Sequence, residues 1–368
     1  MFRTGVKDLR GWSRKTARFQ LEQSRQIINE VVHSFIGLYG ADELVCGFAE
    51  PYFTDFVIVT AGLDEMSADS TVFLGSILKE CVTPRTGAAV LGGRFLNRFR
   101  IPQELPTVAK LFGFSEKKVE HLLYCSRMVA KTDSVALQDG FDLYFHMMIL
   151  SSSGLWSVIQ QSINPYTLAV RRYHWFSDRV RSFVEEPHTG IISDERKDRV
   201  LDMTANESRE CRRASLELLS RDVAKLQRIH MFSRIPNQTT LDEESRKIAD
   251  FLRPAPSERI NWALMYRLEQ EPPNDYEELL AVKYVGRGIV RLLAFGVYVM
   301  HGIKPSLEDP AFPVSEYSQR FEESRFLWRI QQMVESIKSS RLSPELKRHS
   351  IRRLGEVFGE SSSESVSA

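Results

Sequence analysis

The chain has 368 residues, of which 43% are hydrophobic and 26% charged, as in globular proteins and unlike disordered or fibrous ones. The net charge is only +1, so no overall basic field indicates nucleic acid. The four cysteines lie far apart, which excludes a disulfide scaffold and closely spaced cysteine metal sites. They favour a reducing intracellular compartment: the cytoplasm, the nucleus or, for a viral protein, the virion.

The first residues are basic but contain no apolar core, so they do not form a secretory signal, although an organelle transit peptide has a similar composition. The most apolar stretch, residues 292–300, is far shorter than the roughly 20 residues that a membrane span needs. We therefore expect a soluble protein without a membrane span.

Helical patterns dominate the chain. Residues 20–38 and 206–232 place apolar side chains at spacings of three and four, which predicts two amphipathic helices. Ser343 followed by Pro344 indicates a further helix start. Residues 53–62 alone read as a β-strand. The predicted fold class is all-α, predominantly helical and two-lobed, with at most minor β structure.

Turn-forming residues suggest how the chain divides. Residues 236–240 contain proline, asparagine and threonine between two helical patterns and are predicted to be a linker. The predicted lobes are therefore residues 1–235 and 241–358. Residues 359–368 are rich in serine, acidic and almost without large apolar side chains, which predicts a disordered tail.

No catalytic, metal or cofactor motif is present. The eight histidines include no pair at i, i+4, and none lies next to a cysteine at ligand spacing. The glycine pairs lack the lysine and serine or threonine of a phosphate loop. We predict no enzyme activity, no metal and no cofactor, although an active site assembled from dispersed residues remains an alternative.

Arginine is enriched and often lies among aromatic residues. Arginine outnumbers lysine by 35 to 14, and its planar guanidinium suits phosphate groups. On a helix spanning residues 171–183, arginines would alternate with rings that can stack on unpaired bases. Segments 92–100 and 285–291 are similar. The predicted nucleic-acid-binding residues are Arg171, Arg172, Tyr173, Trp175, Arg179, Arg181, Arg287 and Arg291.

The same rings could instead anchor a core, with the arginines forming a solvated face. The position of Trp175 distinguishes the two interpretations. Arg172 and Arg179 flank it on a helical stripe, so we expect Trp175 to be partly exposed and Phe176 to be buried.

Residues 105–123 resemble a helix-turn-helix. Ala109, Gly113 and Val119 occupy the positions of its small residue, turn glycine and core contact, and Ser115 would cap the second helix. The resemblance implies a surface, including Lys117 and Lys118, that faces DNA. An ordinary helical hairpin has the same spacing.

Residues 141–154 resemble segments of two families. Asp142, Phe145 and His146 match the Asp-x-x-Phe-His pattern in ligand-binding domains of FadR-type GntR regulators. Ser208 stands where that family would have a further histidine, so its metal is not carried over. The spacing of Phe141, His146, Leu150 and Ser151 also resembles nucleoproteins of non-segmented negative-strand RNA viruses.

The sequence thus favours a non-enzymatic nucleocapsid-type protein that coats single-stranded RNA in a groove between two helical lobes and self-associates. Its tail could bind another protein. The first alternative is a helix-turn-helix transcription regulator with a helical ligand-binding domain. The second is a helical adaptor that binds only proteins, its arginines paired with nearby acidic residues.

Overall fold

The computed structural model describes residues 14–65, 70–232 and 242–358. Their helices are α1 (Arg14–Tyr39), α2 (Ala41–Phe48), α3 (Pro51–Thr60), α4 (Ser70–Cys81), α5 (Ile101–Phe112), α6 (Glu116–Lys131), α7 (Arg209–Arg221), α8 (Val223–Phe232), α9 (Glu243–Leu252), α10 (Trp262–Gln270), α11 (Tyr276–Ala281), α12 (Arg287–His301), α13 (Tyr317–Arg320), α14 (Glu323–Ser339) and α15 (Pro344–Phe358). The strands are β1 (Ala88–Arg94), β2 (Leu137–Gln138), β3 (Asp142–Ser151), β4 (Trp156–Ile163), β5 (Val170–Phe176), β6 (Gly190–Ser193) and β7 (Leu201–Asp202).

The prediction of an all-α fold is wrong, because the protein has mixed α and β structure around a five-stranded antiparallel sheet. The strand order is β1-β3-β4-β5-β6, and β2 pairs with β7 in a separate two-stranded sheet. The analogy with viral nucleoproteins depended on an all-helical architecture. The central sheet removes this support, while the resemblance of residues 141–154 to those nucleoproteins stays a prediction.

Helices cover both faces of the sheet, which explains why its strands were missed. Neighbouring residues of β3 belong to different hydrophobic clusters: Met148 packs with residues of α5, α6, α7 and α12, whereas Met147 packs with residues of α1 to α4 and α14. A strand buried on both faces lacks the polar alternation of a half-exposed strand. Its periodicity cannot be distinguished from that of a buried helix.

The strand predicted for residues 53–62 is wrong, because a helix is found there. These residues lie largely in α3, in which all ten side chains are buried. A helix that is surrounded by protein has no polar face and reads as a short apolar run.

Helix predictions based on amphipathic periodicity are confirmed. Residues 20–38 lie within α1. Residues 206–232 are helical as predicted but form two helices, α7 and α8, separated at Asp222, after a short 3-10 turn. Pro344 is the first residue of α15. These helices expose one side to water, so their sequences carry the period that a surface helix requires.

Each hydrophobic cluster combines residues from both sides of the predicted linker. One cluster joins α7 and α8 to α9, α10 and α12, and the other joins α1 to α4 with α14 and α15. The predicted linker, residues 236–240, and the predicted tail, residues 359–368, lie outside the described residues. The division into two lobes stays a prediction.

Candidate functional site

Four of the predicted nucleic-acid-binding residues lie in the interior, on β5. Arg171 and Trp175 are each 0% exposed, and Arg172 and Tyr173 are buried. Residues 170–176 form a strand, so successive side chains point to opposite faces of the covered sheet and the helical stripe expected here does not exist. The expectation that Trp175 is partly exposed is wrong, while Phe176 is buried as expected.

Arg171 is neutralised by two buried carboxylates. Its Nη1 donates to Asp139 Oδ2 at 2.9 Å and its Nη2 to Asp309 Oδ2 at 2.6 Å. Tyr173 also donates its hydroxyl to Asp139, at 2.6 Å. Although burial opposes the charged form, Asp139, Tyr173 and Asp309 together raise the pKa of Arg171. This guanidinium is a structural ion-pair partner with no surface left for a ligand.

Arg172 makes a second interior ion pair. Its Nη1 and Nη2 donate to the two carboxylate oxygens of Asp55, at 2.9 and 2.7 Å. The Tyr317 hydroxyl donates to the same carboxylate. The bidentate geometry joins β5 to α3 and α13, elements far apart in the sequence.

Asp133 is the centre of a buried hydrogen-bond network. It lies in a π-helical turn, Thr132–Ala136, directly after α6. Its carboxylate accepts from Trp175 Nε1 at 2.9 Å and from the Gln160 side chain, and it lies 2.5 Å from His188 Nε2. Three donors thus converge on one carboxylate. This carboxylate provides a hydrogen-bond acceptor for buried polar groups of both β4 and β5.

The network continues to His146 but does not open to a ligand. His146 Nδ1 lies 2.8 Å from Gln160 Oε1, and its Nε2 lies 2.9 Å from the hydroxyl of Ser126 on α6. Burial lowers the pKa of His146, so the ring is neutral at pH 7. Because Asp133 and His146 are both buried, these groups hold α6 and the sheet together rather than contacting a substrate.

The helical hairpin of α5 and α6 has the predicted local geometry. Gly113 ends α5 with φ of 71°, and the Ser115 side chain caps α6 by accepting from the Lys118 backbone at 3.3 Å. The prediction that no histidine lies at ligand spacing from a cysteine is wrong for His121 and Cys125, which are four positions apart on α6, with the Cys125 thiol 3.5 Å from His121 Nε2. Burial raises the pKa of Cys125 to about 12, so this thiol is not a ready nucleophile.

The other four predicted residues are accessible to solvent to differing degrees. Arg179 and Arg181 are exposed after β5, whereas Arg287 and Arg291 are partly buried on α12. The latter pair lies together in a cavity. Residues four apart on a helix share a face, which aligns Arg287 with Arg291.

Arg287 and Arg291 line a cleft of about 210 Å³, which we call the arginine cleft. It is lined by Gln138, Gly140, Arg253, Ala255, Glu258, Arg287 and Arg291. Three arginines and one glutamate give this lining a formal charge of +2. Sequence reasoning missed Arg253, because only the packing of α9 against α12 brings it to the cleft.

Arg291 lacks the carboxylate partners that neutralise Arg171. Its Nε donates to the amide oxygen of Gln138 at 2.8 Å and its Nη1 to the carbonyl oxygen of Phe251 at 2.6 Å. Both acceptors are neutral, and among the described residues no carboxylate lies within ion-pair distance of it. Burial lowers the pKa of Arg291; Glu258 opposes this change and Arg287 adds to it.

Each of the two neighbouring arginines has a carboxylate partner at the surface, and Arg287 also donates its Nε to the carbonyl oxygen of Ser134 at 2.6 Å and its Nη2 to that of Phe141 at 2.8 Å. Arg287 Nη1 lies 3.1 Å from Asp142, and Arg253 Nη2 lies 2.7 Å from Asp250; both carboxylates are more than half exposed. Water competes for such pairs, so they leave much of the cationic character of the cleft intact. The buried Nε of Arg253 has no hydrogen-bond partner among the described residues.

Residues 14–65, 70–232 and 242–358 contain neither a membrane-spanning helix nor a cluster of metal ligands. No helix there is both long and apolar enough to cross a bilayer. No three histidine, cysteine, aspartate or glutamate side chains gather there in an arrangement that could hold a metal ion.

Comparison with known proteins assigns the chain to a family without assigning it a function. Neither a curated protein nor a solved structure matches it. One family, described as a protein of unknown function (DUF763), matches residues 5–321, which is most of the chain. The chain therefore belongs to the DUF763 family.

Proposed function

We propose that the protein binds the phosphate group of a larger ligand in the arginine cleft. The observation that carries this proposal is the partly buried Arg291 guanidinium, which has only neutral hydrogen-bond acceptors. A charge removed from water is costly unless an opposite charge compensates it. A bound anion supplies that compensation.

Several features favour phosphate among anions. Arg253, Arg287 and Arg291 offer planar donor forks, which suit the several oxygens of a phosphate. α12 begins at Arg287, so the positive end of its dipole adds to the field. The cleft volume of about 210 Å³ accommodates a phosphate group and leaves the rest of a larger ligand outside.

Binding of single-stranded RNA and self-association stay predictions from the sequence. Of the eight predicted nucleic-acid-binding residues, Arg287 and Arg291 support the phosphate proposal, because they share one cleft. The buried residues of β5 contribute to it only indirectly, by stabilising the fold.

The experiment is titration calorimetry with pyrophosphate in a chloride buffer. We expect Arg291→Met to weaken binding by about tenfold to a hundredfold, because a charged hydrogen bond contributes roughly 1.5–3 kcal/mol. The matched control is Arg348→Met on α15, where the arginine side chain is 75% exposed.

The control variant should bind pyrophosphate like the parent. Equal affinities of the parent and the Arg291→Met variant would contradict the proposal. An equal loss in the Arg348→Met variant would contradict it too, since that result would indicate a general charge effect.

A further inference from the structure

A short segment after β1 carries exposed apolar side chains among arginines. In residues 94–100, Phe95 is 57%, Leu96 80% and Phe99 59% exposed. The segment contains three arginines and no acidic residue. We call it the basic–aromatic segment. Arg100 lies 3.9 Å from Glu104 at the start of α5. Exposed apolar surface together with several arginine side chains indicates a contact surface for an anionic partner.

The basic–aromatic segment is held at both ends. β1 pairs with β3 as far as Arg94, and the carbonyl oxygen of Arg100 accepts from the Glu104 backbone at 2.9 Å as α5 begins. The Glu104 side chain in turn accepts from the Gly92 backbone at 2.9 Å. Phe95 has φ of 51°, a left-handed conformation that is costly for an aromatic residue. The rings therefore project from a fixed support.

Each exposed ring lies beside a guanidinium. The Arg94 guanidinium lies 4.3 Å from the centroid of the Phe95 ring, and the Arg98 guanidinium lies 4.6 Å from that of Phe99. Proteins that bind single strands use this combination, in which bases stack on rings while cations contact the backbone. A duplex keeps its bases stacked inside, so exposed rings favour a single strand.

The basic–aromatic segment and the arginine cleft adjoin the same end of β3. Arg287 of the cleft donates to Asp142 at 3.1 Å. The Arg94 guanidinium lies 5.8 Å from the ring centroid of Tyr144. Asp142 and Tyr144 are two positions apart, a rise of no more than about 7 Å, and the register of β3 shifts between Leu143 and Phe145. One extended polyanion can therefore contact both surfaces.

We infer that the phosphate in the arginine cleft belongs to a single-stranded nucleic acid, whose neighbouring bases stack on Phe95 and Phe99. Its other phosphates contact the arginines of the basic–aromatic segment. This inference rests on the proposed function and names the class of its ligand. The repeated pairing of a ring with a guanidinium matches the repeat of base and phosphate, and a lipid surface has no comparable repeat.

The test is fluorescence anisotropy with a labelled 12-nucleotide single strand, on the order of the site size of single-strand binders. It is run beside pyrophosphate calorimetry on the same variants. We expect Phe95→Asn with Phe99→Ala to weaken oligonucleotide binding by about thirtyfold or more, since each stacked base contributes roughly 1–3 kcal/mol, while pyrophosphate affinity is unchanged. Asn tolerates the left-handed backbone at position 95. The control is Leu111→Ala on α5, which removes a side chain of similar exposure.

The two hypotheses fail in different ways. Unchanged oligonucleotide affinity in the ring variant, or an equal loss in Leu111→Ala, overturns the nucleic-acid inference and leaves the cleft proposal intact. Tighter binding to a duplex, or binding to anionic vesicles but not to the oligonucleotide, overturns it too. Absence of pyrophosphate binding to the parent overturns the cleft proposal itself.

Discussion

Two arginine-containing regions of this protein look alike in sequence but differ in charge balance. On β5, Arg171 contacts Asp139 and Asp309, and its pKa is raised. In the arginine cleft, Arg291 has neutral acceptors, and its pKa is lowered. The charge of Arg171 is already neutralised by carboxylates of the fold, whereas a bound anion would stabilise the charge of Arg291.

The comparison shows that the partner of an arginine decides its role. An arginine between aromatic residues suits a nucleic-acid interface and a buried ion pair equally well. Asp309 lies far from Arg171 in the sequence, so only the fold reveals the pair. A search for binding arginines should therefore start from those that the fold leaves without a carboxylate.

The largest expected effect is on the free energy of unfolding when Arg171 or Arg291 is replaced by methionine. Arg171→Met leaves two buried carboxylates without their cation, which should lower the free energy of unfolding by about 3–5 kcal/mol. Arg291→Met removes a cation that has no carboxylate at ion-pair distance but leaves the oxygens of Gln138 and Phe251 without this donor, so the loss should be smaller, about 1–2 kcal/mol. Urea unfolding in a phosphate-free buffer measures both values.

Similar losses of unfolding free energy in the two variants would contradict the comparison. A large loss for Arg291→Met would assign that guanidinium to the stability of the fold. A small loss for Arg171→Met would mean that Asp139 and Asp309 can be accommodated without it.

The sequence predicts surface helices of this fold but not its sheet. α1, α7 and α8 each have one solvent-exposed side, so their apolar residues repeat at helical spacing. β3, β4 and β5 are almost entirely buried, and buried polar groups such as Gln160 interrupt any simple alternation. The identity of a buried strand thus depends on neighbours that the local sequence does not specify.

The candidate site is predictable in part for a similar reason. Arg287 and Arg291 are four positions apart, so one helix is enough to align them, and the sequence identifies both. Arg253 and Gln138 reach the arginine cleft only through tertiary packing. The sequence also includes residues 94–100 among its basic, aromatic segments, but their exposure depends on how β1 ends.

A second prediction tests whether the protein interior around β5 disfavours a positive charge that has no carboxylate partner, such as a protonated His174. Burial holds the pKa of His174 well below its usual value, and Arg172 lowers it further. The unfolded state, with a histidine pKa of about 6.5, then binds more protons as the pH falls. Stability should therefore decrease below about pH 6.5, by up to about 1.4 kcal/mol per pH unit for this histidine.

His174→Asn keeps a donor for the carbonyl oxygen of Phe48, which His174 Nδ1 contacts at 3.0 Å. Urea unfolding between pH 5 and pH 7 should show a shallower pH dependence for this variant. His33→Asn, at an exposed histidine, should leave the slope unchanged. Identical slopes in the parent and the His174→Asn variant would mean that His174 is protonated without cost.

The smallest expected effect concerns Arg181, which the sequence predicts to contact nucleic acid and which lies exposed after β5. Arg181→Ala should change the free energy of unfolding by no more than about 0.5 kcal/mol, because it alters only a surface side chain. Each phosphate contact with a single strand contributes roughly 0.7 to the slope of log affinity against log salt. If the strand follows the arginine cleft and the basic–aromatic segment, Arg98→Ala lowers this slope by that amount and Arg181→Ala leaves it unchanged. Anisotropy titrations at several salt concentrations measure both slopes. A decrease for Arg181→Ala alone would indicate that the nucleic acid binds next to β5 instead.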